Sequence, residues 1–206
     1  MNAQRDVIAT GSGEREFTFV ELRWFSDNAY NYAVTYTGSW TPIATVRLFQ
    51  VALAFLDLFP SDIGQGDSDL AAIQRLRCTF GAAACLIATA RARNSELQAD
   101  DYDSVRRHVS MFHIVFDQAE KRLEEDKSKL DDMANKMASL LVWDFEAAIA
   151  LGQWQDLSEI VRRARICRNA GIFREMADCI VRERKTAPQG MSIELPIKHD
   201  DANTQM

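Results

Sequence analysis

The chain has 206 residues, 47% of them hydrophobic, with a formal net charge of −6 and a sequence pI near 5.1. That is one ordinary domain's worth of core, or one segment of a repeat array. The acidic balance argues against a dedicated nucleic-acid binder, which would carry a basic face. Nine glycines and four prolines are few, and the prolines at 42, 60, 188 and 196 leave residues 61–187 without one. Alanine alone supplies 27 residues, against 34 for Val, Ile and Thr together. This composition predicts an all-α chain, because a sandwich or barrel needs turn-makers about every 8–12 residues.

Residues 1–16 are polar, lack an apolar stretch of signal-peptide type and read as a flexible arm. Thr18 and Glu21 have the spacing of a capping box, and Leu22, Phe25, Ala29 and Tyr36 continue the helical period to about residue 37, where Gly38 ends the helix. Thr41-Pro42 opens a second helix to residue 59. Its run Ile43–Phe59 is strongly apolar, but Arg47, Gln50 and Asp57 interrupt it and speak against a membrane span. A third helix is expected from about 68 to 93, capped by Ser68, with Ala82, Ala83 and Ala84 allowing a neighbouring helix to come close.

Val105, Val109, Phe112, Phe116, Ala119 and Leu123 then follow a 4-3 spacing that resumes at Leu130, Met133, Met137 and Leu140. Such spacing permits a coiled coil, but it reads better as the core stripe of two helices near 101–125 and 128–151, with one continuous helix as the other reading. A last pair is expected at about 154–169 and 172–185, with residues 186–206 as a disordered tail. The whole is therefore an all-α body over 17–185, built of antiparallel helix pairs. Cys78 and Cys85 lie about 10 Å apart along a helix, too far for a disulfide. With Cys167 and Cys179 they read as four reduced thiols.

Two helix junctions echo each other. Gly38-Ser39-Trp40 and Gly152-Gln153-Trp154 each end a helix with Gly, place Trp two residues on, and start a helix with an aliphatic residue three later (Ile43 and Leu157). Tetratricopeptide repeats use a small residue and an aromatic in this way, wedged between antiparallel helices. The body is thus expected to be a tetratricopeptide-like α-solenoid segment, with Trp40 and Trp154 largely buried as packing residues.

No motif for catalysis, a cofactor or a metal stands out. Asp100, Asp101 and Asp103 invite comparison with the aspartate-rich magnesium motif of isoprenoid enzymes, but they read as exposed acids at a helix start, where they suit the helix dipole. His108 and His113 are five apart and do not share a helical face as a zinc-binding HExxH pair does. The remaining enzyme-like or ligand-binding reading is an apolar pocket lined by Phe112, Phe116 and Trp143. Charge is uneven: residues 94–132 carry eleven acids and six bases, residues 155–187 eight bases and five acids. Arg162, Arg165 and Arg168 fall on one drifting stripe and are the candidate docking site for an acidic partner segment.

The segment Glu21-Leu22-Arg23-Trp24-Phe25-Ser26-Asp27-Asn28-Ala29-Tyr30-Asn31-Tyr32-Ala33-Val34 resembles the E-L-x-W-x-x-x-x-A/S-F/Y-N-x-A/G segment of the fungal meiotic crossover and synapsis scaffold family, sporulation-specific proteins with tetratricopeptide-like repeats. Trp40, Val46, Leu48, the ending Leu58-Phe59-Pro60-Ser61-Asp62, and Met176-Ala177-Asp178 extend the resemblance over residues 16–185, which would correspond to a C-terminal portion of longer family members. The resemblance implies a non-enzymatic nuclear, chromosome-associated scaffold without cofactor, membrane contact or direct nucleic-acid contact. Its partners would be other meiotic chromosome proteins, and its role crossover formation and synaptonemal complex assembly. Under this reading Trp24, Gly38, Trp40, Gly152 and Trp154 are repeat-packing residues. A partner-binding adaptor outside meiosis is the blander alternative.

Overall fold

The computed structural model describes residues 17–93, 98–123, 127–167 and 169–186. The expected N-terminal arm, most of the expected tail, and Arg168 lie outside them. Among the described residues there are seven α-helices and no strand: α1 Phe19–Tyr36, α2 Pro42–Asp57, α3 Gln65–Ala92, α4 Gln98–Leu123, α5 Lys127–Ala150, α6 Leu157–Ile166 and α7 Ala170–Thr186, with a 3-10 turn at Trp154–Asp156.

The local signals account for most of the boundaries. Thr18 and Glu21 form both halves of the capping box that starts α1. Thr41 accepts the Ala44 amide, and Pro42 occupies the first position of α2, where a missing N–H costs nothing. The start of α3 differs from the expectation. It begins three residues before Ser68, with Gly64 at the cap and no side chain capping it. Gln65 reaches Asp69 at 2.9 Å one turn on, which supports the extra turn. The 4-3 stripe divides between two helices, α4 and α5, and Val105, Val109, Phe112, Ala119, Met133, Met137 and Leu140 are all buried.

Helices stack in chain order, each antiparallel to the one before it, through α5. Phe25 meets Phe55 and Tyr30 meets Phe49 across α1 and α2, and buried Ser26 donates to the Ala52 carbonyl at 3.1 Å. Arg75 of α3 binds Asp57 of α2, while Arg23 of α1 reaches Asp67 of α3 at 3.0 Å. Helix α3 is long and apolar enough to cross a membrane by length and composition. Its buried stripe Ile73, Leu76, Thr79, Ala83, Ile87 and Ala90 belongs instead to the common core, against α2, α4 and α5.

Beside the alanine cluster, Gly81 leaves room for a ring of α2. A Cβ at Gly81 would lie 2.4 Å from Cζ of Phe49, whose ring is buried between α1, α2 and α3. Gly81→Ala gains about 1 kcal/mol of helix propensity but forces the ring out of its site, at a cost of about 1–3 kcal/mol for overpacking. We expect a net loss of roughly 1 kcal/mol in urea unfolding, relieved when Phe49→Leu is added. A Gly81→Ala variant more stable than the parent would contradict this packing.

Candidate interaction surface

The outer side of the α1–α2 pair, turned away from α3, is apolar and aromatic. Phe25 and Phe55 stack at 5.0 Å between ring centroids, and Phe17 and Trp24 set their edges against Phe25 at 5.3 and 5.1 Å. Helical spacing continues this set along α2 through Val51, Phe55 and Leu58. Further along, Tyr32, Tyr36 and Trp40 form a ladder, stacked at 5.9 and 4.6 Å. Many of these side chains face solvent: Val20 is 73% exposed, Trp24 60%, and Phe17, Tyr32, Val51 and Leu58 between 44% and 61%.

The expected burial of the tryptophans is thereby corrected. Trp40 is 45% and Trp154 43% exposed, so neither is a wedge between helices, and Trp24 is more exposed than both. The physical reason lies in the turns. Gly38 has φ +90°, and the amides of Ser39 and Trp40 both donate to the Tyr36 carbonyl, at 3.1 and 3.0 Å. The chain folds back over the last turn of α1 and lays Trp40 on Tyr36. At the second junction Gly152 has φ +69°, its amide donates to Ile149 at 3.0 Å, and Gln153 donates to Ala148 at 2.8 Å. That is a Schellman ending. The two Gly-x-Trp sequences thus build two different turns.

The two buried carboxylates of α5, Asp144 and Glu146, form helix-to-helix ties. Arg106 of α4 donates to Asp144 of α5 and to Asp156 of the 3-10 turn, each at 2.8 Å, and also binds Gln153. Burial pushes the Asp144 carboxyl up, and Arg106 opposes the shift. Glu146, also of α5, takes two bonds from Arg91 of α3, at 2.8 and 2.7 Å, and one from Arg182 of α7 at 3.1 Å. Burial pushes its carboxyl up, but the Arg91 and Arg182 guanidinium groups outweigh burial and hold it below its ordinary value. Cys179 lies 3.7 Å from Glu146, and burial raises this thiol, as it raises Cys78 to about 12. All four cysteines are free.

His108 Nδ1 donates to the Ser104 carbonyl at 2.8 Å, and His113 Nε2 is buried with no partner among the described residues. Burial holds both rings below the usual histidine value. Asp100 is exposed as expected, but Asp101 is mostly covered and paired with Arg93 at 2.8 Å, while Asp103 pairs with Arg107 at 3.2 Å. Among the described residues no group of three His, Cys, Asp or Glu side chains is placed to hold a metal. The pocket expected around Phe112, Phe116 and Trp143 is replaced by core packing: Phe112 is fully buried and stacks on Phe116, and Trp143 stacks on Phe80. Two shallow grooves lie elsewhere. One of about 240 Å3 runs between the α2–α3 turn and α4, and one of about 100 Å3 lies between α1 and α3.

On α6, Arg162 grips Glu159 through two bonds of 2.7 Å, and Arg163 joins the same carboxylate at 2.9 Å. These bonds hold the Glu159 carboxyl down to about 2. Arg165 is exposed. Of the expected stripe, then, Arg165 is exposed, Arg162 is engaged at the surface, and Arg168 lies outside the described residues.

The Asp144 and Glu146 ties escaped the sequence reading because their partners lie 38 and 55 residues away. The available signal was two acids inside the apolar run Leu140–Ile149. Removing the Glu146 tie with Glu146→Ala should cost about 3 kcal/mol, at the low end for a buried pair because Arg91 and Arg182 are partly exposed. Since the folded carboxyl titrates below its ordinary value of 4.5, its contribution is complete above pH 4.5 and lost as pH falls through the lower, folded value. The Glu146→Gln variant should therefore lose part of the acid limb in a plot of stability against pH. An unchanged acid limb would contradict the assignment. No family model, curated protein or solved structure matches this chain.

Proposed function

We propose that the chain is a non-enzymatic helical module that binds other proteins, and that its principal contact surface is the outer face of α1 and α2. The observation that carries this reading is exposed Trp24, set against the half-buried rings of Phe25 and Phe55. Tryptophan on a rigid element is the side chain most often found at the energetic centre of an interface. Contiguous apolar patches of this kind mark interaction sites. The buried carboxylates Asp144 and Glu146, by contrast, are engaged in ties that hold helices together.

The meiotic part of the proposal rests on the resemblance of residues 16–185. Within its leading segment Leu22, Ser26, Ala29 and Ala33 are core residues, whereas Trp24 projects to solvent. We assign Trp24 a recognition role rather than a packing one. The proposed setting is a nuclear, chromosome-associated scaffold that serves crossover formation and synaptonemal complex assembly. Arg162, Arg165 and Arg168 are proposed as a secondary contact that steers acidic partner segments.

Quantitative affinity purification from meiotic cells tests this reading. Trp24→Ala should lower capture of specific meiotic chromosome proteins roughly 30-fold, the effect of about 2 kcal/mol at a hot spot, with helical content unchanged. Replacing all three arginines by Glu should slow capture of a purified partner mainly at low salt, because rim charges act on association rate. Capture that is unaffected by Trp24→Ala would overturn the assigned surface. Recovery of no chromosome protein at all would remove the meiotic setting.

A further inference from the structure

The α1–α2 pair stands at one end of the helix stack, and its outer face has no further helix against it among the described residues. End units of stacked-helix proteins ordinarily present a polar outer face. Here the end is apolar. Phe17, Val20, Trp24, Tyr32, Trp40, Val51 and Leu58 all leave large hydrophobic surface in solvent. At 150–250 Å2 for a whole aromatic side chain, the exposed fractions of Phe17, Trp24, Tyr32 and Trp40 sum to about 300–500 Å2, and Val20, Val51 and Leu58 add to this. A monomer's largest patch is typically about 300–600 Å2. A standard interface takes about 800 Å2 from each partner, and in homodimers about 65% of it is apolar, which is roughly 500 Å2. The face thus holds about the apolar area that one side of a stable dimer needs.

Charge points to the same occupant. Residues 17–60 carry three acids (Glu21, Asp27 and Asp57) and two bases (Arg23 and Arg47), hence a net charge of −1. Two of these five are drawn toward α3, where Arg23 binds Asp67 and Asp57 binds Arg75. The negative charge lies elsewhere: residues 94–132, which include α4 and the start of α5, carry eleven acids against six bases, net −5. A nearly neutral face offers no strong sign of charge to select a charged foreign partner, but it is compatible with itself. Trp24, Phe25, Phe55 and Val51 would form the centre of an isologous contact.

We infer that a second copy of this chain covers the outer face of α1 and α2, so that two helix stacks join end to end through a two-fold axis. The inference rests on the proposed function's choice of surface, and the second copy then competes with any other protein for that face. Light scattering and sedimentation of the purified full chain, over a concentration series, test it. The mass expected is that of two chains, twice 23.3 kDa. Two variants that place charge on exposed positions, Trp24→Glu with Val51→Glu and, separately, Val20→Glu with Leu58→Glu, should each weaken dimerisation at least 100-fold and leave the helical circular dichroism and unfolding midpoint in place. The second pair removes no aromatic ring and lies at two of the most exposed positions, which guards against misfolding of the first. A chain that stays monomeric throughout the series, or a dimer that survives both variants, overturns the inference. If the chain is monomeric but Trp24→Ala still abolishes partner capture, the inference falls and the proposed function stands. If the chain dimerises through this face while capture is indifferent to Trp24→Ala, the inference stands and the proposed partner surface falls.

Discussion

Two buried carboxylates on one helix organise most of this molecule. Asp144 and Glu146 sit two residues apart near the end of α5, and two residues on a helix turn through about 200°, so they point to opposite sides. An ionised carboxylate placed in a core without a partner is costly enough to unfold a small domain. Each therefore constrains what packs beside it. Asp144 holds α4 and the 3-10 turn through Arg106, and Glu146 holds α3 and α7 through Arg91 and Arg182. Helix α5 is otherwise almost wholly apolar over Met137–Ile149. Apolar contact alone would permit several rotations of such a helix, and the two ion-pair sets select one of them.

The N-terminal pair is built on a different principle. Helices α1 and α2 meet through aromatic rings, a buried serine hydrogen bond and small residues at Ala29, Ala33 and Ala52, and α2 reaches α3 where Gly81 leaves room for Phe49. Exposed ion pairs from Arg23 and Arg75 add little stability but fix the approach to α3. With its inner side committed in this way, the pair's outer side leaves Trp24, Tyr32 and Trp40 about half exposed or more. One end of the molecule is thus locked by charge inside, and the other displays apolar surface outside.

Much of this was legible in the residues, and the exceptions have physical causes. Caps are local, so Thr18 with Glu21 and Thr41 with Pro42 located two helix starts. Periodicity is also local, so the stripes of α4 and α5 marked seven buried positions, while Phe116 and Leu130 at the same spacing are only partly buried. Tryptophan burial is not local. The same Gly-x-Trp string yields an aromatic lid on Tyr36 in one place and a Schellman ending in the other, because the last turns of α1 and α5 supply different acceptors. The ties of Asp144 and Glu146 depend on which helices become neighbours, which no spacing within one helix reveals. Ser68 had the right chemistry for a cap, but the residues before it could extend the helix, and Gly64 took the position.

The central claim is a division of labour: buried charges of α3, α4, α5 and α7 maintain the fold, and the aromatic face of α1 and α2 makes the contacts. The most direct measurement is a panel of substitutions at Arg91, Arg106, Asp144 and Glu146 on one side and Phe17, Val20, Val51 and Leu58 on the other, each read for unfolding free energy and for association per folded molecule. Substitutions in the first group should lower stability with association unchanged, and those in the second should weaken association with stability unchanged. Association that falls with the buried charges while the exposed apolar positions prove neutral would contradict it.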